Sequence, residues 1–238
     1  MTYTSLALFG SYARGDETDD SDIDILSVSE GSDGPGLLEI GKIRISSYAR
    51  GHLQSLAKTG SLFVLHLKTD GVVVFDRNDT LRSILSDFTP RASYSTERSE
   101  AAILGWLLFC SEARDSLTPL AQKTMMFSIR TIAYSLMAES GRPDFSKNRV
   151  LQRMSDNNLD TLWNNKYSSG NRIDLDALRK FLTKHTGPPP AWIDHSLIDA
   201  LRSKTLPTRF ARRRCIDLLL KTTESAEDPA SLRQGYSS

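Results

Sequence analysis

The most constraining feature of this chain is a short segment near its start, residues 6–28, in which an apolar run leads into a glycine turn. Residues 6–9 read Leu-Ala-Leu-Phe, a block typical of a buried strand. Gly10 and Ser11 follow and end the run abruptly. A glycine at a strand end allows the backbone to approach a ligand closely, and turn amides before a helix form an anion-binding nest. The turn therefore predicts a phosphate site.

Twelve residues after the glycine, the sequence alternates acidic and apolar side chains as Asp22-Ile23-Asp24-Ile25. On a strand, this alternation predicts Ile23 and Ile25 in the core and both carboxylates together on the opposite face. Two like charges so close repel each other unless a cation neutralises them, and hard oxygen ligands of this kind suit Mg²⁺. An acidic surface loop running into an edge strand gives the same pattern and stays open as an alternative.

The 238 residues have a net charge of only +1, but the charge is distributed unevenly. Residues 1–90 contain 8 basic and 13 acidic side chains, a net charge of −5, whereas residues 91–238 contain 22 and 16, a net charge of +6. The apolar pattern changes at the same place, from short strand-like runs to helical periodicity. We therefore predict a small α/β domain at 1–90, an all-helical domain at 91–225 and a flexible polar tail at 226–238. The predicted helices lie at about 100–117, 119–140, 147–154, 174–185, 191–203 and 208–223.

Several classes of protein are excluded by composition. The balanced charge, with 25% charged and 39% apolar residues, is unlike that of a disordered chain or a strongly basic nucleic-acid coat. No apolar run approaches the length of about 18 residues that a membrane helix needs. The two cysteines, Cys110 and Cys215, are too few for a disulfide framework or a metal cage. With no secretory signal evident, we expect a cytoplasmic protein without membrane association.

The segment from Leu8 to Gly15, followed by the segment from Ser21 to Leu26, resembles the signature of the DNA polymerase beta nucleotidyltransferase superfamily. Within it, the chain is most similar to the minimal nucleotidyltransferases and the kanamycin-type enzymes. The resemblance implies an α+β fold, in which a small mixed-sheet nucleotidyltransferase domain is followed by an all-α helical bundle.

The same resemblance implies roles for individual residues. Gly10 and Ser11 would contact the phosphates of a nucleoside triphosphate, with ATP the first candidate, and Asp22 and Asp24 would hold two Mg²⁺ or Mn²⁺ ions. Arg14 would steady a phosphate oxygen, or would instead be a solvent-facing residue of the first helical turn. The expected reaction is transfer of a nucleoside monophosphate to a hydroxyl group, with release of pyrophosphate.

The family normally adds a third carboxylate from a neighbouring strand, as metal ligand and general base, and this sequence departs from that pattern. Residues 40–69 contain no Asp or Glu, and the neighbouring strand predicted at 42–46 carries Arg44 instead. The remaining candidates are Glu39, which we rank first because it flanks that strand, and Asp70 or Asp76.

If none of the three acids serves, the chain is a catalytically impaired nucleotide-binding protein, such as an antitoxin or a regulator. If one does, acceptors in similar proteins include toxin side chains, tRNA ends and aminoglycoside hydroxyls. Because residues 91–238 are net basic, we favour a macromolecular acceptor, a partner protein or tRNA, over a polycationic aminoglycoside. By analogy alone, a role in a bacterial toxin–antitoxin or phage-defence module is expected.

Overall fold

A computed structural model describes residues 3–31, 35–111, 113, 118–164, 173–203, 206 and 208–224. The strands within these residues are β1 (Tyr3–Phe9), β2 (Ile23–Ser29), β3 (Gly36–Ile40), β4 (Ile43–Ala49) and β5 (Val72–Asp76). The α-helices are α1 (Ser11–Arg14), α2 (Arg50–Lys58), α3 (Leu62–Asp70), α4 (Thr80–Ser86), α5 (Ser95–Leu107), α6 (Pro119–Glu139), α7 (Lys147–Met154), α8 (Asn157–Asn164), α9 (Leu175–Thr186), α10 (Leu197–Arg202) and α11 (Arg209–Glu224). A 3₁₀ turn, Arg77–Asp79, connects β5 to α4.

The five strands form one mixed sheet in the order β3-β4-β2-β1-β5. Strand β2 lies parallel to β4, while the other neighbouring pairs are antiparallel. Helix α1 lies between β1 and β2, helices α2 and α3 lie between β4 and β5, and the remaining helices follow the last strand. The predicted α+β class, a mixed sheet followed by helices, is confirmed.

The core of the sheet lies on one face only. Leu26 and Val28 of β2 are fully buried and belong to the cluster that includes apolar residues of α2, α3 and α4. Strand alternation places Asp24 on this same face. The prediction that Ile23 and Ile25 enter the core is therefore wrong, because they lie on the opposite face and are only half-buried. That face also carries the exposed side chains of Leu38, Ile40 and Ile43.

The described residues pack into two compact units, and the division differs from the predicted one. The first unit combines Met1–Tyr94 with Tyr134–Met154, and the second combines Ser95–Ala133 with the residues that follow Met154. The predicted domains 1–90 and 91–225 are consecutive, whereas residues 134–154 pack with the sheet. Residues 134–154 pack with the sheet because of an aromatic contact. Phe145 stacks on His66 of α3, with ring centroids 4.2 Å apart, and belongs to the core of the sheet. The predicted tail, 226–238, lies outside the described residues.

The helices of the second unit follow the predicted periodicity with three differences. Helix α5 runs from Ser95 to Leu107, whereas the sequence predicts a helix at about 100–117. Helix α10 begins at Leu197 rather than near residue 191, because the Ser196 side chain caps it by accepting from Asp199 N–H. Helix α8 was not predicted from the sequence. In the part of the chain that the structure describes, none of the helices has the length and apolarity needed to cross a membrane.

Helix α8 is capped by Asp156, a buried carboxylate whose side chain is 1% exposed. One of its oxygens accepts from the backbone N–H groups of Asn158 and Leu159, and the other lies 2.8 Å from both Lys184 Nζ and His185 Nε2 of α9. Burial alone would raise the pKa of Asp156, but these hydrogen bonds have a larger, opposite effect and lower the pKa to about 2. The carboxylate therefore ties α8 to α9.

We expect Asp156→Asn to lower the free energy of unfolding by about 2 kcal/mol at pH 7, because asparagine retains the cap but loses the charge opposite Lys184 and His185. A lowered carboxylate pKa stabilises the fold fully above the unfolded-state value of 3.8. The difference between wild type and variant should therefore disappear as the pH falls from about 4 to about 2. Urea denaturation at a series of pH values measures it.

The matched control is Asp160→Asn, which removes an exposed carboxylate from the first turn of the same helix. Its effect should stay below about 0.5 kcal/mol and should not follow this pH window. Equal losses of stability in the two variants would contradict the assignment of Asp156 as the charge that joins α8 to α9.

Candidate active site

The turn after β1 brings the backbone of Gly10 against the side chain of Asp24. Phe9, the last residue of β1, pairs with Asp24 of β2, so the next residue lies beside that carboxylate. Gly10 has φ +76° and ψ −154°, a conformation that side chains rarely allow. A Cβ atom added there would lie 2.9 Å from Asp24 Oδ2. Glycine is therefore required both by the backbone conformation and by the space.

A single helical turn, α1, follows the glycine. Ser11 is its first residue, the Arg14 N–H donates to Gly10 O at 3.2 Å, and Gly15 ends the turn in the left-handed conformation. The predicted phosphate-binding pair, Gly10 and Ser11, thus lies at the end of β1, adjacent to Asp24. The predicted contact of these two residues with a nucleotide stays a prediction.

A row of charged side chains crosses three strands beside this turn. The register pairs Asp24 of β2 with Arg44 of β4, and Arg44 with Glu39 of β3, so all three side chains lie on the same face. Arg44 Nη1 lies 2.9 Å from Asp22 Oδ2, and Arg44 Nε lies 3.0 Å from Glu39 Oε1. The structure therefore places Glu39 on the face of the two aspartates, with an arginine between them.

Arg14 and Asp70 form a buried ion pair behind the turn. Arg14 Nη1 lies 2.6 Å from Asp70 Oδ2 and Arg14 Nε lies 3.1 Å from Asp16 Oδ1, while the Asp70 side chain is only 3% exposed. His66 Nε2 is 3.2 Å from the same Asp70 oxygen, outside hydrogen-bond geometry. The sequence alternative of a solvent-facing Arg14 is not observed, since its side chain is 12% exposed.

Electrostatics support this arrangement. Burial raises the pKa of Asp70, but the neighbouring His66 ring and the Arg14 guanidinium lower it by more, so that it lies below its ordinary value. Burial likewise lowers the pKa of Arg14, and its bonds to Asp16 and Asp70 raise it beyond that loss. Both groups are charged at neutral pH, and Asp70 is occupied as a partner of Arg14.

Asp76 lies at the other end of the sheet. It pairs with Ser5, four residues along β1 from Phe9, a separation of about 13 Å. Its carboxylate accepts from Ser5 Oγ at 2.6 Å and from the backbone N–H groups of Leu81 and Arg82 at the start of α4. Burial raises its pKa and these bonds lower it below the ordinary value. Asp76 is therefore a structural residue that caps α4.

The residues present fit a family-type metal centre only in part. Asp22 and Asp24 share one side of β2 and offer the carboxylate oxygens that Mg²⁺ prefers. Within the described residues, however, no group of three or more histidine, cysteine, aspartate or glutamate side chains is arranged to hold a metal ion. The position beside Asp24, where the resemblance predicts a third carboxylate, is taken by Arg44.

Sequence reasoning missed two contributions to this site. In the sequence, Arg44 was noted only because it stands where an acid was expected. In the structure, its guanidinium lies between Asp22 and Glu39 and pairs with both. Sequence reasoning also proposed Asp70 as a metal ligand, whereas Asp70 holds Arg14. The sequence does hold one signal that Asp70 has a neighbour within its own helix. His66 and Asp70 are four residues apart, a spacing that brings the two side chains together.

Comparisons with known proteins point to one family. The sequence model of the nucleotidyltransferase domain family matches residues 3–46, which include the Gly10 turn, the two aspartates, Glu39 and Arg44. No curated protein that was compared matches the chain. Among solved structures, a nucleotidyltransferase-like protein from Exiguobacterium sibiricum 255-15 aligns with 94% of this chain and 86% of its own, at 16% identity and a TM-score of 0.36, which is too low to bear on function. The predicted resemblance to the polymerase beta-like superfamily is confirmed through this match of residues 3–46 to the nucleotidyltransferase domain.

Proposed function

We propose that this protein is a divalent-cation-dependent nucleotidyltransferase that moves a nucleoside monophosphate from a nucleoside triphosphate, with ATP the first candidate, to a hydroxyl group. The observation that carries the proposal is the close approach of Gly10 to Asp24, in which the absence of a side chain lets the backbone of the turn lie against a carboxylate. A triphosphate laid along this turn would have its phosphates next to the acids. The family match over residues 3–46 supports the same reaction.

Each group of residues has a defined task in this proposal. The backbone N–H groups at Gly10 and Ser11 donate to phosphate oxygens, since amides in such a turn form an anion nest. Asp22 and Asp24 would hold Mg²⁺ or Mn²⁺, which stabilises the charge that develops on the transferring phosphate. Arg14 positions the turn through Asp70 and Asp16, and its predicted contact with a phosphate would require it to leave one of them.

In the proposed reaction, the acceptor oxygen forms a bond to the α-phosphorus, and the bond from that phosphorus to the bridging oxygen breaks. Pyrophosphate leaves, and the acceptor hydroxyl releases its proton. Glu39 remains the first candidate to accept this proton, because it is the additional acid on the face of Asp24. It lies two strands from Asp24, about 10 Å between Cα atoms, so the acceptor would have to enter over Arg44.

The charge of the chain bears on the acceptor. The +6 net charge of residues 91–238 favours a macromolecular acceptor, a partner protein or tRNA, over a polycationic aminoglycoside. A role in a toxin–antitoxin or phage-defence module follows only from the resemblance to minimal nucleotidyltransferases, and it belongs to the proposal on that ground.

A second candidate function is nucleotide binding without transfer, as in a regulatory or antitoxin-like protein. The observation that favours it is Arg44, which occupies the strand position opposite Asp24 and forms an ion pair with Glu39. Binding needs only the glycine turn and the acid pair, whereas transfer also needs a proton acceptor. The two candidates differ in whether product forms.

Transfer is tested by incubating the protein with each α-labelled nucleoside triphosphate, Mg²⁺ or Mn²⁺ and candidate partner proteins, tRNA or aminoglycosides. Asp22→Asn combined with Asp24→Asn should lower labelling at least about 100-fold, because the cation loses both carboxylates. The matched control, Asp19→Asn with Asp20→Asn, removes two exposed charges from the adjoining loop and should change labelling less than about twofold. Undiminished transfer by the Asp22 and Asp24 double variant would contradict the proposed cation-dependent mechanism.

Nucleotide binding is tested separately by Gly10→Ala. The added methyl group would meet Asp24 Oδ2 and push the turn and this carboxylate apart, so affinity for a non-hydrolysable triphosphate should fall at least about tenfold. Gly15→Ala is the control, since it also has a positive φ, +71°, but its Cβ meets nothing within 4 Å. Calorimetric titration of both variants, with stability measured by urea denaturation, checks this. Equal loss of affinity in Gly15→Ala would show that backbone strain, rather than the Asp24 contact, controls binding.

A further inference from the structure

The charged row across β3, β4 and β2 has an arginine at the position where related sites are expected to carry an acid. Arg44 lies directly opposite Asp24 in the parallel pairing of β2 with β4, and directly opposite Glu39 in the antiparallel pairing with β3. Its guanidinium forms ion pairs in two directions, with Nη1 2.9 Å from Asp22 Oδ2 and Nε 3.0 Å from Glu39 Oε1. One cation therefore already occupies the middle of the acidic row.

The charges in this row can be counted. Asp22, Asp24 and Glu39 contribute three negative charges, and Arg44 contributes one positive charge, which leaves a net charge of −2. That remainder matches one divalent cation, whereas a row with a fourth acid in place of Arg44 would carry −4. A second divalent ion beside Asp22 would also lie next to a guanidinium that is fixed at both ends, and like charges at such distances repel.

We infer that this site binds a single divalent cation together with the nucleotide, and that the guanidinium of Arg44 takes the place of a second one. The inference rests on the proposed function, since it concerns the same nucleotide site. Arg44 acts here as a positioning residue: it holds the Asp22 carboxylate on one side and the Glu39 carboxylate on the other. The cation is held by Asp22, Asp24 and phosphate oxygens, the ligand set that Mg²⁺ commonly takes.

The test counts Mn²⁺ ions per bound nucleotide, so that it does not depend on activity. The protein is titrated with Mn²⁺ in the presence of each of the four nucleoside 5′-(α,β-methylene)triphosphates, and free Mn²⁺ is followed by electron paramagnetic resonance while bound nucleotide is measured by equilibrium dialysis. The wild-type ratio should be one. In Arg44→Asp, which restores an acid opposite Asp24, the ratio should rise to two.

Arg44→Gln provides a second variant if the aspartate impairs folding, because it removes the charge while keeping a polar side chain. It frees Asp22 and Glu39 and should admit a second ion at a higher Mn²⁺ concentration. The control is Arg50→Asp, which replaces an exposed arginine at the start of α2, paired with Glu30, and should keep the ratio at one.

The outcomes separate this inference from the proposed function. A ratio of two in the wild type would overturn the single-ion site and leave nucleotidyl transfer standing. A ratio of one in both Arg44 variants would show that Arg44 does not set the number of ions. No Mn²⁺ bound with any nucleotide would overturn the inference and the proposed function together.

Discussion

The register between β1 and β2 is the constraint on which the rest of the site depends. Because Phe9 pairs with Asp24, the glycine that follows β1 lies against the carboxylate, and the turn and the acid meet at the same end of the sheet. A shift of one residue would move both aspartates to the other face and Leu26 and Val28 out of the core. The buried residues of β2 therefore hold the acids in place, and the stability of the core and the geometry of the site are coupled.

The turn itself is supported from behind by charge. Arg14 reaches from α1 to Asp70 at the end of α3, and the aromatic neighbours of His66 exclude water from that side. A buried charge without a partner is strongly unfavourable, so each member of the pair fixes the position of the other. This explains how a helix of one turn is held in position beside Asp24. It also explains why Asp70, which lies at the active end of the sheet, is not available as a metal ligand.

The parts of the structure that local pattern determines were predictable from the sequence. The apolar run, the glycine turn and the alternating acids led to the strand–turn–strand arrangement, and the resemblance led to the nucleotidyltransferase family. The predictions that were wrong concern contacts between residues that are far apart in the chain. Alternation separates Ile23 from Asp24 but does not say which face the helices cover, and here they cover the face of the acids. Similarly, nothing local indicates that Phe145 packs with the sheet, or that β3 brings Glu39 opposite Arg44.

Arg44 links the two functions that the fold supports. In the proposal, nucleotide binding would use the Gly10 turn and the aspartate pair, and both are compatible with a guanidinium on the neighbouring strand. Glu39, the candidate to accept a proton in the proposed transfer, is two strands away and forms an ion pair with the same guanidinium. The ion pair that partly neutralises the acidic row thus also holds the candidate base away from the acids that would bind the cation. In the proposed transfer reaction, an acceptor bound over β4 would have to displace Arg44 from Glu39 before Glu39 could accept its proton, so that formation of product would depend on the acceptor as well as on the nucleotide.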